Sequence, residues 1–324
     1  MINKNSLNKI NKHNLMISSL IIAVFIIMSI LEPRSFLGPA NMRGMLIQLP
    51  EYGILCFGMM LAMMSGGIDL SLVGIANFAS IIGASVMIAL GNSPFSMTLG
   101  ILAALLTGAA CGLFNGFLIG YLKIPAMLVT LGGLQLFQGL GLAITKGPAM
   151  TGLPSNFEKI ANENFIGIPL PFYIFIAVTI ITAYILRSTV YGQQLKFMGT
   201  NEIASKYSGI NNLKVTLTTY MISGMTGAIS GILISSHYNS AKSDYGKSYT
   251  LLTLLIVVLG GTNPDGGKGN IFGVALAVIL LQLISSAFNI MRINSFLKTF
   301  VFGLILVFAI LITNYLDERK DKVK

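Results

Sequence analysis

Residues 44–64 read GMLIQLPEYGILCFGMMLAMM, residues 65–71 read SGGIDLS, and residues 72–90 read LVGIANFASIIGASVMIAL. The two outer stretches are apolar and close to the ~20 residues that a helix needs to cross a bilayer. Between them Gly66 and Gly67 break the helix, and Asp69 and Ser71 follow. An aspartate beside hydrocarbon is costly unless it is paired or wet. The stretch therefore predicts two membrane helices joined by a polar break. Asp69 and Ser71 admit two roles there. They cap the following helix by meeting its free amide groups, or, with Gly66 and Gly67, they shape a re-entrant break on a solute path.

Comparable apolar runs recur on both sides. They cover Leu15–Leu31, Gly44–Met64, Leu72–Leu90, Met97–Tyr121, Ala126–Ile144, Leu170–Leu186, Val215–Ser236, Thr250–Gly260, Asn270–Ile290 and Phe296–Tyr315. Thr250–Gly260 is short for a full crossing and is predicted to be a discontinuous or half-length helix. Of the 324 residues 54% are hydrophobic and only 10% charged, against about 25% charged in a soluble domain. The predicted fold class is thus an all-α integral membrane protein, a polytopic helical bundle of about 8–10 transmembrane segments with discontinuous, glycine-broken helices. One membrane domain is expected over 15–315, between an N-terminal tail at 1–14 and a C-terminal tail at 316–324. The first run follows Lys4, Lys9 and Lys12 and precedes Glu32-Pro33-Arg34-Ser35-Phe36, with no small-x-small cleavage site, so it is expected to be a retained anchor.

Threading the runs from a cytoplasmic N-terminus puts thirteen Lys and Arg inside and eight outside, which predicts both termini in the cytoplasm. Thr145–Pro169 then faces outside, and the long polar stretch 187–214 faces the cytoplasm. The net charge of +10 does not mark a nucleic-acid binder, because the basic residues fall between apolar runs instead of on one amphipathic element. Cys56 and Cys111 sit inside apolar runs and read as small buried hydrophobes. His13 and His237 lie far apart near segment ends, so neither a metal nor another cofactor is expected.

Gly108, Gly112, Gly116 and Gly120 recur at every fourth position, and Ser223, Gly227 and Gly231 repeat the spacing. Such stripes let another helix approach closely, and they also suit a sliding surface. A second glycine-rich loop runs Gly260-Gly261-Thr262-Asn263-Pro264-Asp265-Gly266-Gly267-Lys268-Gly269-Asn270. It misses the phosphate-loop pattern at Thr262 and at Gly269, so ATP is not expected to bind it. Its run of apolar residues, Gly-Gly, polar stretch and Asp loosely resembles 65–71, as an internal repeat would. In 191–210, Asn201 can cap a short helix running to Ser208, and Gly209 can end it. Such a helix fits a groove on a partner; the alternative is a helix resting on lipid headgroups.

Together these three stretches resemble the permease family of ribose, xylose and other simple-sugar ABC importers, which includes the autoinducer-2 importer permeases. Gly66-Gly67-Ile68-Asp69-Leu70-Ser71 is similar to that family's GGIDLS signature. Gly199-Thr200-Asn201-Glu202-Ile203-Ala204, with Ser208-Gly209-Ile210, looks like its cytoplasmic coupling motif. Val258-Leu259-Gly260-Gly261-Thr262, with Gly266-Gly267-Lys268-Gly269, looks like its late glycine loop. Departures are Leu72 ahead of Val73-Gly74, Ser205 after Ala204 where a paired alanine is usual, and the inserted Asn263-Pro264-Asp265.

The resemblance implies a permease subunit of an ATP-driven importer in a bacterial cytoplasmic (inner) membrane. It implies a cytoplasmic ATP-binding-cassette ATPase on another chain, an extracytoplasmic solute-binding protein, and a second permease subunit, identical or paralogous. The chain itself would be non-catalytic. The solute would be a monosaccharide, with autoinducer-2 or, through a related permease branch, branched-chain amino acids as alternatives. Gly199, Asn201, Glu202, Ala204, Gly209 and Ile210 would meet the ATPase, with Glu202 as the charged contact. Gly66, Gly67, Asp69, Ser71, Gly260, Gly261, Asn263, Gly266 and Gly267 would form the path or its gate.

Among in-span polar residues, Asn77, Asn115, Gln135, Gln138, Gln282 and Asn289 either line a path or bond across helices. An ion-coupled carrier would need ionisable groups at mid-membrane; Asp69, at a span end, is taken as the single candidate. A non-transporting scaffold fits poorly with glycine-broken helices, since irregular backbone in a membrane lines a cavity. No intramembrane-protease motif is present. A membrane-impermeant label should reach 191–210 in inverted vesicles and not in intact cells; labelling of intact cells would overturn this assignment.

Overall fold

Proline, which is pre-set for a first helical turn and has no N–H to lose there, marks the starts of six helices in this chain. Pro33, Pro39, Pro94 and Pro171 occupy first-turn positions, and Pro125, Pro154 and Pro169 precede a helix. The computed structural model describes residues 4–91, 93–294, 296–305 and 307, with side chains from His13 onward. The tail expected at 316–324, the last run beyond 307 up to Tyr315, and residues 1–3 lie outside the described residues.

The elements in order are α1 (Lys4–Leu31), α2 (Pro33–Phe36), α3 (Pro39–Met64), α4 (Leu72–Leu90), α5 (Pro94–Gly120), α6 (Ala126–Thr145) and α7 (Ser155–Asn162). A two-residue hairpin of β1 (Asn164–Phe165) and β2 (Ile168–Pro169) follows. Then come α8 (Leu170–Ser188), α9 (Val190–Thr200), α10 (Glu202–Tyr207), α11 (Asn212–His237), α12 (Tyr249–Leu259) and α13 (Ile271–Ile290). A last apolar helix, α14, is described over Phe296–Ile305. Among the described residues, eight helices are long and apolar enough to span a membrane. The protein is a polytopic all-α membrane protein. As predicted, α12 is short: its 11 residues rise only about 16 Å, roughly half of a bilayer core.

Helices α3 and α11, each of 26 residues, form the centre of the bundle. From Met45 onward α3 is buried almost all round, as befits a helix that touches protein instead of lipid. Cys56 is buried within it, and Cys111 is buried on α5. The glycine stripe of α5 seats α11: Gly108 faces Gly224, Gly112 faces the Tyr220 backbone, Gly116 faces Leu217 and Gly120 faces Leu213 and Thr216. The stripe on α11 seats α4, with Gly227 against Leu72 and Gly231 against Ala76. By contrast α1 exposes Leu15, Ile22, Ile26 and Ile30, a surface suited to lipid.

The two ends of α11 define the two ends of the bundle. At its start the Asn212 amide donates to the Glu202 carbonyl at 2.8 Å, so α9 and α10 lie at that end. At its finish the Ala161 N–H donates to Ser236 Oγ at 3.0 Å, so α7 lies at the other. The predicted long loops are therefore on opposite sides. The start of α1 sits at the α10 end, where His13 Nε2 and the Leu259 carbonyl are 2.9 Å apart. Around the loosely similar stretches 65–71 and 260–270 the following helices are alike in length and the preceding ones are not. The flanking helices have 26 and 19 residues in one case and 11 and 20 in the other.

A Cβ at Gly112 would collide with the Tyr220 carbonyl, and backbone cannot move aside as a side chain can. Gly112→Val should cost about 3 kcal/mol or more and lower the melting temperature of the detergent-purified protein, whereas Gly132→Ala, with open space around it, should leave it unchanged.

Candidate functional site

Seven residues separate α3 from α4; the Ser65 N–H still bonds the Leu61 carbonyl and the Ser71 carbonyl accepts from Ile75, but between them the helical pattern lapses. Asp69 supplies the missing partners. Its Oδ1 accepts from the Ser71 N–H at 3.1 Å and from Ser71 Oγ at 2.5 Å, and its Oδ2 accepts from Ser223 Oγ of α11 at 2.7 Å. Ser71 Oγ in turn accepts from Asn115 Nδ2 of α5 at 2.8 Å. Thr130 Oγ1 of α6 donates to the Ile68 carbonyl at 2.8 Å. The break is thus pinned to three other helices. Asp69 and Ser71 are fully buried. The capping predicted for this pair is not what their hydrogen bonds do: the carboxyl takes the N–H of Ser71 itself, just ahead of α4, and neither side chain bonds an amide inside that helix.

Leu72 lies against Gly58 and Gly227, well inside the ends of α3 and α11, so the break returns into the bundle before α4 begins. Gly66 adopts a left-handed conformation (φ +87°) with open space where a side chain would be. Gly67 is in close contact with the Tyr220 hydroxyl and Ala126. These residues open onto a cleft of about 220 Å³ at the α10 end, also lined by Gly120, Lys123, Pro125, Met198, Glu202 and Thr216. Tyr220 Oη, buried on its wall, has no hydrogen-bond partner among the described residues.

The late glycine loop packs beside this break. The Gly267 N–H donates to the Met64 carbonyl at 3.0 Å. Asn263 folds the loop on itself: its N–H donates to the Lys268 carbonyl at 3.0 Å, and its carbonyl accepts from the Gly266 N–H at 3.1 Å. Gly261 lies against the His13 ring, and Gly260 lets α12 approach Val274 of α13. Gly199, at the end of α9, is wedged between Met64 and Gly267, where any Cβ would collide with backbone. It is therefore a packing joint between α9, α3 and the late loop. Nearby, Lys196 donates to the Leu186 carbonyl at 2.8 Å. Burial, and then the Arg187 charge, hold its ammonium below the ordinary lysine range.

Helix α10 is built as its sequence predicts. Asn201 Oδ1 accepts from the Ala204 N–H at 2.9 Å, and Gly209 (φ +79°) ends the turn in the left-handed region. Ala204 is exposed, and Ile210 packs back on the core. Glu202 meets Lys123 Nζ at 2.7 Å, an exposed ion pair spanning the mouth of the cleft. Two residues not singled out from sequence stand out on the same short helix: Ile203 is 71% and Tyr207 is 89% exposed.

Residues 41–310 match the family described as branched-chain amino acid transport system / permease component. The ribose import permease protein of Bacillus subtilis is 34% identical over 91% of this chain and 90% of its own length. The L-arabinose transport system permease protein of Escherichia coli is 31% identical over 93% and 90%. The autoinducer 2 import system permease protein of Yersinia enterocolitica is 30% identical over 84% and 86%. The chain belongs to this permease family. It is a transport component of the ABC-importer class, a multi-pass protein of the inner membrane.

In this permease the in-span polar residues separate into two groups. Asn77, Asn115 and Gln282 are buried. Asn77 Nδ2 donates to the carbonyls of Ser243 and Tyr245, and Gln282 Oε1 accepts from Tyr52 Oη at 2.7 Å. Gln135 is exposed on the outer face of α6, Gln138 half-buried, and Asn289 exposed near the end of α13. The expectation that Asp69 is the single ionisable candidate is corrected by Glu51. It lies in the middle of α3, 1% exposed, with His237 Nδ1 at 2.6 Å and Tyr249 Oη at 2.9 Å. Its signal was an acid inside an apolar run, which is itself a marker.

Asp69→Ala strands the donors of Ser71 and Ser223 and should cost roughly 3 kcal/mol. Asp69→Asn, which keeps an acceptor for the Ser71 N–H, should cost less. Equal melting temperatures for Asp69→Ala and the unaltered permease would refute the pinning role.

Proposed function

We propose that this permease carries a monosaccharide across the cytoplasmic membrane, driven by a separate ATP-binding-cassette ATPase and supplied by an extracytoplasmic solute-binding protein. The observation that carries the reading is the near full-length similarity to relatives named for ribose and arabinose. The buried break supports it, since a polar interruption of two membrane helices next to a cleft is how a path for a polar solute is made. A second permease subunit completes the path, and 15–315 act as one permease unit. The ends of the bundle are then assigned, with α10 and both termini in the cytoplasm.

Helix α10 is the docking element of this reading. Ile203 and Tyr207 project from one face, four residues apart, as an apolar knob for a groove on the ATPase. Glu202 is already engaged by Lys123, so it passes motion of α10 to the α5–α6 connection and thus to the cleft. Gly199 passes it to Met64 and the late loop. A pathway for a sugar needs hydrogen-bonding groups that hold weakly, and the free Tyr220 hydroxyl is such a group. A second solute, autoinducer-2, is favoured by the relatives named for it.

Vesicles holding the permease, its ATPase and its binding protein should accumulate labelled ribose or arabinose when ATP is supplied. Accumulation of autoinducer-2 alone supports the second solute, and uptake that persists without ATP contradicts both. Tyr207→Ala combined with Ile203→Ala should cut ATP-driven uptake at least about tenfold, since exposed aromatic anchors dominate interfaces. The melting temperature should stay the same, because both side chains are exposed.

A further inference from the structure

The segment 238–248 joins α11, which ends at the α7 side, to α12. Tyr249, the first residue of α12, bonds to Glu51 at 2.9 Å, and Glu51 lies in the middle of the 26-residue α3. The same carboxyl reaches His237, so the depth of the segment is read from α4: Ala76 lies against Gly231, inside α11, and the next residue, Asn77, holds the segment, which therefore dips into the bundle from the α7 end. It carries non-helical backbone into the interior, where every polar group needs a partner. Asn77 of α4 takes two of its carbonyls, those of Ser243 and Tyr245, at 3.0 and 2.9 Å. Met150 pairs with Ala241 through two backbone hydrogen bonds. Ser243 is buried between Asn77 and Gly141 of α6.

One side chain ties both ends of this segment. Glu51 Oε1 holds His237, the last residue of α11, at 2.6 Å, and Oε2 holds Tyr249, the first residue of α12. The Glu51 carbonyl accepts from Ser230 Oγ as well. We propose that Glu51 is the latch of a gate at the α7 end: it keeps segment 238–248 seated in the bundle, and its release lets the segment lift from Asn77 and Gly141 and open the path on that side. Glu51 is a positioning residue that acts through His237 and Tyr249. The proposal rests on the permease reading only for what passes through the gate. The seating itself can be tested without solute.

The test is the rate at which a membrane-impermeant maleimide labels Ser243→Cys from the α7 side of the reconstituted importer, with buried Cys56 and Cys111 as background. In the resting protein labelling should be slow, and ATP with loaded binding protein should accelerate it. Glu51→Ala should make resting labelling about tenfold faster or more, the effect of removing two hydrogen bonds to a buried acceptor, and should make it indifferent to ATP. Glu51→Gln, which can still accept from Tyr249 and donate to His237, should stay near the resting rate. Tyr249→Phe leaves no cavity, so it keeps the test decisive if Glu51→Ala does not assemble. It should speed labelling severalfold and add nothing in the Glu51→Ala background. A labelling rate that ignores turnover in the otherwise unaltered importer, or that is the same with and without the Tyr249 hydroxyl, overturns the latch. Loss of ATP-driven uptake with normal labelling behaviour would count against the transport reading alone.

Discussion

Within a bilayer core a backbone amide or carbonyl has no water to turn to, so each one must find a partner inside the protein. Continuous helices meet this demand automatically. Breaks do not, and this permease places two of them inside its bundle. At 65–71 the carboxyl of Asp69 gathers the Ser71 N–H and the hydroxyls of Ser71 and Ser223. At 238–248 the carboxyl of Glu51 holds the residues on either side, while Asn77 takes two carbonyls between them. One buried acid per break is the arrangement on which the path geometry depends.

The two breaks open toward different ends. The one held by Asp69 adjoins the cleft, α9, α10 and the late glycine loop, whose backbones are in direct contact at Met64, Gly199 and Gly267. A push on α10 reaches this break through rigid backbone rather than through long side chains. The exposed Lys123–Glu202 pair adds direction more than energy, since such pairs contribute little in water. The break tied to Glu51 sits across the bundle near α7. Helices α3 and α11 run between the two; α11 is packed through glycine against α5 and α4, and Gly58 of α3 lies against Ser223 and Thr226 of α11, so the pair is stiff enough to carry displacement from one side to the other.

Much of this was legible in the sequence because its causes are local. The run Leu72–Leu90 has the bounds of α4, the cap at Asn201 and the stop at Gly209 are local chemistry, and the four-residue glycine stripe on α5 meets α11 as its spacing implies. The short α12 followed from a run too short to span. What sequence did not yield depends on distant partners. Glu51 meets His237 and Tyr249, which lie 186 and 198 residues away. Gly199 read as a contact for another subunit, but its neighbours Met64 and Gly267 make it an internal joint. Ile203 and Tyr207 become distinctive only once Ser205 is seen to face inward, leaving them turned outward. Gln135 differs from Asn115 only in which face of its helix it occupies.

The most direct measurement is amide hydrogen exchange of the permease in lipid nanodiscs, read on peptides that cover the two breaks. If buried acids hold both breaks within the bundle, the amides of 68–71 and 241–245 exchange on the slow scale of the neighbouring helices. Exchange at the rate of exposed loop residues, such as Thr151 and Gly152, would contradict the account at its root.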